Sequence, residues 1–204
     1  MIISLIGTLI TMTYVIEFFA EYKIFSTILH VFSVIVGMGT ALVSDVLFNN
    51  YIRDGRIQKG ENRTLSTLST IVWASLGCIV VSGVFLFLSD PLMYASSVKF
   101  LVKMTIVGVV IINGYVFHRL IHPSLQKIDF IDTNVRHKYV RLRKLAFACG
   151  AVSLISWMLA FVLGMLGHIP LSYLEAIVGY VGILFGGIFV AQIVDYMLTR
   201  KRGE

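Results

Sequence analysis

Leu29 to Asp45, LHVFSVIVGMGTALVSD, is apolar enough to lie in a bilayer, yet it carries a histidine near one end and an aspartate at the other. At about 100° per residue, Gly37, Ala41 and Ser44 fall close to the line of His30, and Asp45 lies about 60° from it. One face of this helix is therefore polar at its ends and nearly bare in the middle. A bare face admits a neighbouring helix, or a flat ligand, close to the backbone. At about 1.5 Å per residue His30 and Asp45 stand roughly 22 Å apart, so they belong to two separate levels.

Outward from this stretch the chain keeps the same character. Of its 204 residues 57% are hydrophobic and only 14% charged, with a mean hydropathy of +0.87. A soluble domain carries about a quarter charged residues, so the composition indicates an integral membrane protein. Six apolar stretches approach the ~20 residues needed to span, at 2–20, 26–48, 67–89, 98–118, 143–166 and 172–197. The expected fold is all-α: a single six-helix transmembrane bundle over 1–204. The N-terminus has no basic leader or small-residue cleavage site and reads as a retained helix. Cys78 and Cys149 lie in apolar runs and imply no disulfide framework.

The basic residues give the expected orientation. Arg53, Arg56, Lys59 and Arg63 follow the second stretch, Arg119, Lys127, Arg136, Lys138 and Arg141 the fourth, and Arg200, Lys201 and Arg202 the sixth. The other connections are nearly uncharged. Basic segments stay cytoplasmic, which puts both termini inside, most naturally in a bacterial inner membrane. Their partner is the anionic lipid surface and not nucleic acid.

Orientation then sorts the polar residues by depth. Glu17, His30, Lys103, His168 and Glu175 fall at the outer level. Asp45, Asn113, His118 and Asp195 fall at the inner level, with His122 and His137 beyond them. An ionisable group inside a span costs about 2.5–3.5 kcal/mol, so it faces the bundle or a cavity. His30 reads as a ligand or as an interface residue; Lys103 reads as a buried cation or as one that snorkels. His118 and His122, four apart, share a helical face that can hold a metal or bracket a ligand, or they end a solvated basic helix. Asp45, Asn113 and Asp195 read as a hydrogen-bonded network tying the second, fourth and sixth spans, or as a proton or ion path. No phosphate loop, paired-cysteine zinc pattern or nucleophile elbow appears.

Two stretches together carry a resemblance. LHVFSVIVGMG at 29–39, and SGVFLFL at 82–88 followed by VKFLVKMTIVGVVIINGYVFHR at 98–119, resemble bacterial copper-resistance D-type membrane proteins and the haem-J-type protoporphyrinogen oxidases. The resemblance covers about half the chain. It departs from the family in its preceding helix and in the lack of a tryptophan from Val31 to Ile35. It implies that His30 matches the family histidine associated with haem b and that Lys103 matches the lysine of the partner helix.

On that resemblance the expected cofactor is haem b. His30 and His168 are the candidate iron ligands, and Lys103 pairs with a propionate or acts on a substrate carboxylate as the candidate catalytic group. The bare face from Gly37 to Ala41 is a slot for the ring. The expected activity is electron transfer, or oxidation of a hydrophobic reductant of quinol or porphyrinogen type, with a second copy or a redox protein as partner. Two rivals stand beside it. An ion or small-solute transporter would rely on Asp45, Asp195, Glu17 and Glu175, and a non-catalytic membrane subunit would rely on none of these.

Overall fold

The structure, a computed structural model, describes residues 13–52, 55–127 and 137–200. Its principal elements are α1 (Lys23–Tyr51), α2 (Lys59–Ser89), the short α3 (Pro91–Ser96), α4 (Val98–Val116), α5 (His137–Met165) and α6 (Tyr173–Arg200). Residues 13–21 are also helical and lead into α1, and no strand occurs among the described residues. Five helices are long and apolar enough to cross a membrane: Lys23–Tyr51, Lys59–Ser89, Val98–Lys127, Tyr139–Met165 and Tyr173–Leu198. The expected span at 2–20 lies largely outside the described residues.

Local chemistry explains where these helices begin. The Glu61 carboxylate accepts the Gln58 backbone N–H at 2.8 Å in a capping box, so α2 starts well before the apolar run expected from 67. At 31 residues α2 is about 46 Å long, more than the bilayer core, and its basic first turns project beyond it. Asp90 ends α2 and caps α3, accepting from the Met93 N–H at 3.1 Å with Pro91 in the first turn. Ser97 caps α4 in the same way through Phe100 N–H. The described residues of the connection expected at 119–142 are helical. Phe117–Ile121 widens into a π turn, His122–Lys127 tightens to a 3₁₀ turn, and α5 begins at His137.

α1 and α2 share the largest interface and run antiparallel: His30 meets Ser82, and Gly37 meets Ser75. Three apolar cores follow the bundle axis. Ile52, Ile57, Leu65, Ile121, Leu125, Ala146 and Cys149 close the Asp45 end. Ala41, Leu76, Ile79, Val110 and Trp157 fill the middle. Val102, Ile106 and Tyr180 join α4 to α6. The outward faces are apolar as well, with Ile28, Phe32, Phe185 and Phe189 fully on the surface. Water would penalise such a surface, whereas hydrocarbon accepts it.

The bare face of α1 is occupied by protein. A Cβ added at Gly37 would lie 2.7 Å from Trp157 Cη2 and 3.1 Å from Ser75 Cβ. Of the two occupants the sequence left open, a neighbouring helix stands at Gly37 in this structure. The indole of α5 fills the groove that glycine leaves.

Candidate functional site: two polar levels against one apolar bundle

At the first level His30 sits half-buried between α1 and α2. Its Nδ1 lies 3.0 Å from Ser82 Oγ. The same Ser82 Oγ lies 2.6 Å from the Cys78 carbonyl on its own helix. A partner at one ring nitrogen fixes the orientation of the imidazole, as in ligating histidines. Gly83 lies directly under the ring, where an added Cβ would be 3.6 Å from Cε1.

Lys103 of α4 acts electrostatically on His30 from within the bundle. Its Nζ also lies 3.6 Å from the Cβ position of Gly164, in the last turn of α5. One turn earlier Lys99 donates to the Leu166 carbonyl just past that helix end. Two ammonium groups thus meet the negative end of the α5 dipole, which favours cations there. His168 is exposed in the connection between α5 and α6.

At the second level Asp45, Asn113 and Asp195 each meet α5. Asn113 Nδ2 donates to the Cys149 carbonyl at 3.0 Å, and Asp45 Oδ1 lies 3.8 Å from the Cβ position of Gly150. Asp195 accepts from Arg143 Nε at 2.7 Å, with both side chains about 5% exposed or less. Each of the three residues expected to tie the second, fourth and sixth spans thus has a neighbour on α5. Arg143 was not singled out from the sequence. The signal was there, since it is a cation inside the apolar start of one span opposite Asp195 inside the end of the next.

The remaining candidates resolve individually. His118 and His122 stack at 5.6 Å between centroids and 24° between planes, aligned by the π turn; His118 is exposed, and His122 Nε2 is buried with no partner among the described residues. Glu175 accepts from Ser172 N–H and from Ser172 Oγ, both at 2.8 Å, as a capping box for α6. The sequence Ser172-Tyr173-Leu174-Glu175 carries that signature. Glu17 is exposed, and the side chain of His137 lies outside the described residues. Among the described residues no group of three or more His, Cys, Asp or Glu side chains can hold a metal ion. A metal held by protein ligands alone is therefore not assembled there, whereas a porphyrin brings its own four nitrogens.

No family model, curated protein or solved structure matches this chain.

Proposed function

We propose that the chain is a b-type haem protein of the membrane, of the haem-J-like kind, with His30 as axial ligand. The observation that carries this reading is the half-buried His30 ring, held at Nδ1 by Ser82 and acted on electrostatically by Lys103. The donor set fits a haem iron at one axial position. The Lys103 ammonium fits a propionate or a substrate carboxylate. The ring finds no place along Gly37 to Ala41, which Trp157 fills, so it belongs at the level of His30. Haem b bound there supplies reversible one-electron exchange, suited to electron transfer or to a hydrophobic reductant such as a quinol or porphyrinogen. The protein orients the imidazole through Ser82 and offers an ammonium in an apolar setting where its charge is poorly screened.

In the same reading the segment 2–20 forms a sixth span and the basic segments face the cytoplasm, which places His30 towards the outer face of a bacterial inner membrane. The test is the absorption spectrum of detergent-purified protein expressed with ample haem, oxidised and dithionite-reduced. Wild type is expected to show a Soret band and reduced α and β bands, all weakened in His30→Ala. A colourless wild type overturns the proposal.

A further inference from the structure

The Asp45 carboxyl takes no part in the reading above, and its surroundings make it the most unusual group in the bundle. Its Oδ2 is closed off from solvent and has no hydrogen-bond partner among the described residues. Its Oδ1 points at the bare Cα of Gly150. On α4 Asn113 donates one of its two amide N–H groups to the Cys149 carbonyl. Between Asp45 and the basic end of the molecule lies the core of Ile52, Ile121 and Leu125, the last two with no exposed surface at all.

From this geometry we propose that Asp45 is a reversible proton-binding site, holding its carboxyl proton in the membrane-embedded protein at neutral pH. An ionised carboxylate without donors in an apolar interior is strongly disfavoured, and binding a proton is the way such a group becomes neutral. A metal cation is the poorer occupant. Hard cations such as Ca²⁺ or Mg²⁺ need about six or more oxygen ligands, and the helical carbonyls around Asp45 are committed to their own helices.

Charged groups on the facing elements do not alter the argument. On α5 the face that carries Gly150 carries Arg143 seven residues earlier, about 10 Å along the axis, already bound to Asp195. The antiparallel register that sets His30 against Ser82 and Gly37 against Ser75 brings Thr67 of α2 level with Asp45. The next charge on α2, Arg63, is exposed one turn beyond. α4 contributes Asn113, and the thiol of Cys149 belongs to the apolar core.

Infrared spectra of the full chain in lipid vesicles at neutral pH, with Asp45→Asn alongside, test the assignment without reference to haem. The expected result is a protonated-carboxyl carbonyl band in wild type, shifted on deuterium exchange and lost in the variant. Absence of the band from wild type, or its survival in the variant, overturns the proposal. So does its selective loss from wild type in Na⁺ or Li⁺, which assigns the site to a metal cation. A second readout needs no variant. Dicyclohexylcarbodiimide adds to protonated carboxyls in apolar surroundings to give an N-acylurea, and peptide mapping of wild type is expected to find the adduct on Asp45. Adducts on other carboxyls alone overturn the proposal.

Discussion

At the scale of single residues the most informative positions are those where one atom decides the packing. Gly37 is required because the Trp157 ring stands where its side chain would be. Gly37→Ala is expected to destabilise the fold by about 1–3 kcal/mol, the usual range for overpacking against a rigid ring. Two positions away Gly39 has open space at its Cβ position, so Gly39→Ala is the control with unchanged stability. Unfolding in denaturant with the detergent held constant measures both. Ser82 matters through its bond to the His30 ring. On the proposed haem reading, Ser82→Ala removes the Nδ1 partner of His30 and is expected to weaken haem binding about 10-fold or more, the usual effect of deleting a partner behind a ligating histidine. Haem titration of the apoprotein measures it, and an unchanged affinity would remove Ser82 from the account.

At the scale of the element, α5 is the hub. It contributes Trp157 to the middle core and Ser156 to a bond with Tyr180, and it receives Asn113 and Asp45 at Cys149 and Gly150, and Asp195 at Arg143. The buried ion pair joins α5 to α6, whose outer face is otherwise largely open to lipid. Removing one partner strands a charge: Asp195→Ala is expected to cost about 3–5 kcal/mol, and the double change Arg143→Leu with Asp195→Leu far less. Thermal unfolding of the two variants separates stranded charge from lost attraction; equal losses would contradict it. The caps belong to this scale too. Ser172 and Glu175 could be read in advance as a helix start, because the Ser-x-x-Glu spacing carries the capping box.

For the whole molecule the expected outcome is topological. With the basic segments on one side, a fluorescent protein fused after Glu204 is expected to mature in the cytoplasm, and a phosphatase that works only outside is expected to be inactive there. The opposite pair of results would invert the bundle and move His30 to the inner face. A cysteine introduced near residue 56 or 168 reports the same orientation by its access to an impermeant reagent: residue 168 from outside, residue 56 only after permeabilisation.

How much of this was legible in the chain follows from what each interaction depends on. Apolar length and the placement of lysine and arginine are properties of local sequence, so the membrane class and the five described spans were readable beforehand. His30 and Lys103 were legible as costly polar groups at the same depth of two apolar helices. Which helix fills the bare face of α1 was not legible, since glycine announces close approach but not by what, and only the assembled bundle brings Trp157 there. For the same reason Asp45, Asn113 and Asp195 could be placed at one depth but not assigned to α5. Depth comes from counting residues along one helix. Partnership comes from the rotation of each helix about its axis, and that is set by the packing of all of them together.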